Sequence, residues 1–204
     1  AEYGLTDKVT LGAQLAYVDA SQRSSSGENR AAKLSDSEFF IRHAFWSTSE
    51  TVLSLQPTII LPSPDTTHTT PKIGSDHLAY GLRANVGRNY SFAGKAHYAD
   101  VSVGYIHRQG PASDQWKFDA TTGLSLAPDW VVLPQLLTTF TPGRRGTAAF
   151  SQSPADDYDA ITLQLSALYT VAPAHQIQLG AFTTYYGRNT GAGKGLLLAY
   201  WTSF

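Results

Sequence analysis

The chain of 204 residues contains neither cysteine nor methionine. Without thiols there is no disulfide scaffold and no thiolate metal site, and the absence fits an oxidising compartment. With no initiator methionine and no signal peptide, the sequence reads as a mature or trimmed form. It also lacks any run of 18 apolar residues, and its mean hydropathy is slightly negative, which excludes a transmembrane helix. Charge of one sign is missing too: the net charge is -1, with acids and bases mixed along the chain, so nucleic acid is not an expected partner. No break in composition divides the chain, and residues 1–204 are expected to form one domain.

What the chain does have is alternation. Val9, Leu11, Ala13, Leu15 and Tyr17 point one way, and Thr10, Gly12, Gln14 and Ala16 the other, which predicts a strand of about a dozen residues. Strands are likewise expected at about 34–46, 52–61, 76–87, 95–108, 116–126, 130–140, 158–170, 177–187 and 195–204. Pro57 inside the third predicts a bulge or local break. Long polar loops are expected at 21–32, 62–75, 109–115, 141–157 and 188–194. Short turns are expected at 4–7, 47–50, 88–94, 127–129 and 171–175. The turn at Gly4 to Asp7 has something to turn from, so Ala1 to Tyr3 read as the end of an earlier strand.

A soluble sandwich or barrel also produces alternation. These strands, however, run to 10 residues or more, against about 5–6 in soluble sheets, and their polar faces are rich in Gly, Ser, Thr, Gln and charge, a poor soluble core. An apolar outside around a polar inside needs lipid, and barrel strands cross it with only about 9–11 residues each. The expected fold is therefore an all-β, antiparallel up-and-down transmembrane barrel of ten full strands, or twelve if an N-terminal hairpin is missing. Aromatics, at 12%, suit a protein with two membrane interfaces to decorate.

The last ten residues, Gly195-Leu196-Leu197-Leu198-Ala199-Tyr200-Trp201-Thr202-Ser203-Phe204, place Leu196, Leu198, Tyr200, Thr202 and Phe204 on one face. This ending resembles the C-terminal strand of bacterial outer-membrane β-barrels, whose terminal Phe is recognised by the assembly machinery. The turn Tyr3-Gly4-Leu5-Thr6-Asp7-Lys8 followed by Val9-Thr10-Leu11-Gly12 resembles an interior hairpin of porin-like proteobacterial proteins. The resemblance implies the outer membrane of a Gram-negative bacterium, contact with its lipid and lipopolysaccharide, and short turns and Phe204 on the periplasmic side. The alternation of short turns with long loops agrees with it.

The inward face is expected to carry Glu38, Arg42, Arg83, Asp100, Arg108, Lys117 and Asp119, either cross-bracing as ion pairs or lining a water-filled passage. Small inward residues, among them Gly12, Gly81, Gly104, Gly123 and Gly180, leave open space. Interface aromatics are expected at Tyr17, Phe45, Trp130, Phe140, Tyr169, Tyr200 and Phe204. With Gln135 kept inside, Trp130 and Phe140 face outward about 33 Å apart along the strand, or roughly 24 Å after a 45° tilt, the spacing of two girdles. His43 is expected in the same interface as Phe45 and Trp46. The loop pair Arg144 and Arg145 suits lipopolysaccharide phosphates or an acidic ligand, or is neutralised by Asp156 and Asp157.

Ser75-Asp76-His77 and His107 stand near one rim, but consecutive strand residues face opposite ways, and two histidines are not a metal ligand set. No metal, cofactor or catalysis is expected. The functional expectation is a narrow porin-like channel for small solutes. The alternatives are a non-conducting barrel that anchors an envelope protein partner and, third, an outer-membrane lipid-modifying enzyme.

Overall fold

A computed structural model describes residues 1–24, 27–63, 73–110, 112–142, 157–190 and 193–202. Among them there are strands and connections but no helix: β1 (Glu2–Thr6), β2 (Val9–Gln14), β3 (Tyr17–Ser24), β4 (Gly27–Leu34), β5 (Ser37–Ser47), β6 (Thr51–Leu61), β7 (Ala79–Phe92), β8 (Lys95–Arg108), β9 (Gln115–Ala127), β10 (Trp130–Phe140), β11 (Asp159–Ala172), β12 (His175–Arg188) and β13 (Lys194–Thr202). Eleven form one antiparallel sheet in the order β1-β2-β5-β6-β7-β8-β9-β10-β11-β12-β13, and β3 pairs with β4 alone. Each strand lies beside its sequence neighbour, the β3–β4 ribbon excepted. This is the outcome short connections between alternating segments dictate.

The sheet is one layer thick. Every pair of strands in more than sporadic contact is a pair of sheet neighbours. It is not closed, since β1 and β13 end it without pairing to each other. Glu2 and Tyr3 do run in a strand, as expected, but that strand continues through Gly4 to Thr6 and the turn shrinks to Asp7 and Lys8.

Other segments also differ from their expected form. The predicted loop at 21–32 is the β3–β4 hairpin. The predicted first strand breaks after Gln14, because Leu15 and Ala16 stand opposite three residues, Ser35 to Ser37, and the odd residue makes a bulge. Asp36 is turned there to accept from the Ser63 N–H at 3.0 Å and the Ser75 N–H at 2.8 Å, which ties the hairpin base to the next loop. The predicted turn at 88–94 is only Ala93-Gly94, both at positive φ (50° and 73°), the conformation a two-residue hairpin turn requires. Pro57 carries no bulge: register holds from Phe40↔Thr58 to His43↔Leu55, and the shift comes later, between Ala44 and Trp46.

Register also fixes the slant of the strands. Directly opposed residues run from Thr10 to Arg42, then from Gln56 through Arg83, Gly104, Lys117, Thr139 and Ala160 to Gly187, with Arg42 and Gln56 joined by a 2.9 Å side-chain hydrogen bond. Thr10 lies beside its short turn, whereas Gly187 lies near the far end of β12. The row thus climbs about eleven residues over eight strand spacings, a tilt of roughly 40° at ~3.3 Å rise and ~4.8 Å spacing.

Candidate functional site

The two faces of the sheet are unequally covered, in the opposite sense to a soluble protein. On β7 the apolar side chains Tyr80, Leu82 and Val86 are exposed, while Gly81, Arg83 and Asn85 on the other face are partly covered. The pattern repeats on β8, where Val101, Val103 and Tyr105 are exposed and Ser102, Gly104 and Ile106 buried. Gln56 and Gln178 are each 4% exposed, whereas Leu196 is 83% exposed. Polar side chains also reach past intervening strands: Arg83 on β7 meets Asp119 on β9, and Arg42 on β5 meets Glu2 on β1. Convergence on one face and splaying on the other is what curvature toward the polar side produces.

The seven expected inward charges share this face, but they do not form one network. Arg83 donates to Asp119 at 2.6 Å and to the Ser102 hydroxyl at 3.2 Å. Arg42 makes a fork with Glu2, both contacts 3.1 Å, and lies over the Phe40 ring at 5.2 Å. Arg108 sits at the long-loop rim, where it donates to the Ser113 carbonyl at 2.6 Å and to Asp157 at 2.8 Å. Asp157 also accepts from the Ser113 N–H and hydroxyl, each at 2.7 Å. Beside this group Asp159 pairs with Arg188 at 2.8 Å and accepts from the Thr141 N–H at 2.9 Å. Glu38, Asp100 and Lys117 make no ion pair or side-chain hydrogen bond among the described residues.

Across β10, between Thr121 on β9 and Gln164 on β11, the polar face is neutral. The Gln164 amide donates to the Gln135 carbonyl oxygen at 2.6 Å, and the Gln135 amide to the Thr121 hydroxyl at 3.1 Å. Gln135 therefore lies on the polar face, with Trp130 and Phe140 on the other side. Trp201 is inward as well, donating to Gln178 at 3.0 Å.

The expected open space at the glycines is partly filled. Rings on neighbouring strands cover two of them, a Cβ at Gly12 lying 2.0 Å from the Phe40 ring and one at Gly123 2.0 Å from Tyr98, and Phe182 covers Gly195 in the same way at 2.8 Å. A Cβ at Gly180 would lie 2.2 Å from the Ser166 hydroxyl. Gly81 and Gly104 remain open to ordinary contact, with nearest atoms at 3.4 Å and 3.6 Å. Gly123→Val is expected to cost about 1–3 kcal/mol through displacement of Tyr98, and Gly4→Val, where nothing lies within 4 Å, far less. Denaturant unfolding in micelles measures both.

The apolar face carries aromatics at both ends. Toward the short turns, the Trp130 and Tyr169 rings meet at a tilt with centroids 4.6 Å apart, and the Tyr200 hydroxyl meets His175 Nδ1 at 2.6 Å. Phe45 and His43 share the outward face of β5. Toward the long loops, Phe140 opposes Trp116, which lies 5.1 Å from Tyr105. Tyr80, Tyr105 and Trp116 were not among the expected interface residues, although each is an aromatic on the apolar face within a few residues of the long-loop end of its strand, the signal that would have found them. Tyr17 belongs to the β3–β4 hairpin rather than the main sheet. Phe204, Arg144 and Arg145 lie outside the described residues.

At the rim the Ser75 hydroxyl donates to the His77 backbone carbonyl at 3.0 Å, so it is not presented to an imidazole. His107 lies 3.0 Å from Asp114. Among the described residues no three His, Asp or Glu side chains gather as a metal ligand set. The Tyr105 phenol donating to Asp114 holds that carboxyl below the usual carboxylate range, with the Arg108 N–H and His107 adding to the effect. Because the folded value is depressed, this contribution to loop order is complete above the ordinary carboxylate pKa and is lost as pH falls through the folded value. Amide-exchange protection at Arg108 is expected to hold above the ordinary carboxylate pKa of about 3.9 and to be lost only at more acidic pH, while Asp114→Asn lacks it throughout.

No protein-family model matches the chain, and no curated protein matches it either.

Proposed function

We propose that the chain forms a β-barrel in the outer membrane of a Gram-negative bacterium and conducts small solutes along its polar face. The observation that carries this reading is the inverted coverage of a single-layer sheet: exposed Leu, Val, Tyr and Trp on one side, Gln, Ser and charged groups sheltered on the other. In water such an apolar face has no partner, whereas in lipid it is the solvated face, and every strand edge must then be paired by closure. A tilt of roughly 40° lies within the range of transmembrane barrels. Ten antiparallel pairings leave β1 and β13 pointing the same way, so antiparallel closure takes one further strand and the barrel has twelve. At ~4.8 Å spacing and that tilt its backbone diameter is roughly 25 Å, and side chains narrow the lumen to about half of that.

Lipid and lipopolysaccharide surround the apolar face, and the strand ending at Phe204 is what the assembly machinery recognises. The pairs Arg83–Asp119 and Arg42–Glu2 favour a second reading, a braced barrel that anchors an envelope partner without conducting. Planar-bilayer recording separates the two. Discrete conductance steps that change in size or ion preference with Arg42→Ala and Arg83→Ala support the channel. Folded protein, β-rich by circular dichroism and heat-modifiable, that gives no steps rules it out.

A further inference from the structure

The inward charges divide into those with partners and those without. Arg42, Arg83 and Arg108 are each neutralised by a carboxylate within 3.1 Å. Among the described residues Glu38 and Lys117 are not, and both line one depression on the polar face, together with Thr58, Gly81, Arg83 and Gly104. Its floor is low because two of its residues have no side chain. A Cβ at Gly81 would enter contact with Ile106 and Thr58 at 3.4 and 3.5 Å, and one at Gly104 would touch Arg83 at 3.6 Å. An acid on β5 and a base on β9 thus stand on opposite sides of a glycine-floored hollow, with Arg83 held to Asp119 between them. Asp100, the other inward charge without an ion pair, lies toward the short turns, opposite Gly87 and Thr121, outside the hollow.

We infer that this hollow is a selecting subsite for small zwitterions, solutes that carry an ammonium and a carboxylate; the inference rests on the channel reading above. The ammonium turns to Glu38, the carboxylate turns to Lys117, and the wall charges that would repel a simple anion or cation instead align the dipole. A neutral solute of the same size gains nothing there.

The test is liposome swelling with two isomers, glycine and glycolamide, one zwitterionic and one neutral. The wild-type protein is expected to admit glycine about fivefold faster, the scale of one unit-charge contact in a wet site. Glu38→Gln and Lys117→Gln each bring the ratio close to one without slowing glycolamide. The exchange Glu38→Lys with Lys117→Glu reverses the field and restores the preference, which a packing defect would not do. Equal entry of the two isomers in the wild type, or a preference that the single variants leave intact, overturns the subsite and leaves the channel standing. No entry of either solute through folded protein overturns both.

Discussion

Leu165→Arg is expected to destabilise the protein in lipid by about 2–4 kcal/mol, the cost of an arginine at the bilayer midplane on the outer face of a barrel. Leu165 lies in the middle of β11 on the apolar face, opposite Ala181 and Pro134, and is 59% exposed. Were that face solvated by water, a change at so exposed a site would fall within about 0.5 kcal/mol. The adjacent Gln164→Arg is the matched control, because Gln164 points to the polar face beside Gln135 and escapes the lipid penalty. Denaturant unfolding of both variants in vesicles measures the difference. Equal, small effects at the two positions would remove lipid from the account.

The second large effect is expected at the rim. Asp157 and Arg108 are both covered, with side-chain exposures of 9% and 16%. Their pair joins the end of β8 to the segment before β11, past two intervening strands. Asp157→Ala leaves the Arg108 guanidinium and the Ser113 N–H without their carboxylate, and breaking a buried pair from one side costs about 3–5 kcal/mol. Arg108→Leu with Asp157→Leu removes both charges and should recover much of the loss. A double-mutant cycle on unfolding in micelles reads the coupling directly. A single-mutant loss below about 0.5 kcal/mol would mean that water satisfies these groups and the rim is not latched.

The strands of the main sheet were legible because each buries one face differently from the other, and a period of two records that difference directly. Leu78 to Val86 and Trp116 to Leu126 are plain examples. The β3–β4 hairpin was not legible for the same physical reason. Asp19, Ser21, Glu28 and Arg30 are exposed, Asp19 and Arg30 pairing with each other, and the more covered side offers only Val18, Ala20, Ala31 and Lys33, residues too small or too polar to give a period of two much contrast. Loop chemistry at Ser24-Ser25-Ser26-Gly27 was read where the flanking Ser24 and Gly27 pair with each other.

Within the site, which residues share the polar face followed from parity alone, but their partners did not. Glu2 with Arg42, Asp157 with Arg108 and the rings over Gly12 and Gly123 depend on register between strands and on curvature. Neither is written in the spacing along one strand. Glycine read from sequence is empty volume. In the folded sheet it is as often the seat of a neighbour's ring.

Cysteine is absent from the chain, so single cysteines can be placed along β11 and spin-labelled without background. Labels at positions 162 to 167 in reconstituted vesicles test most directly whether lipid covers one face and water the other. At Leu163, Leu165 and Ala167 the labels should be accessible to oxygen, which partitions into lipid. At Thr162, Gln164 and Ser166 they should be accessible to a water-soluble nickel chelate, so that the two profiles alternate out of phase with a period of two. Nickel access at all six positions, or shielding from both reagents at the apolar three, would contradict a lipid-facing sheet.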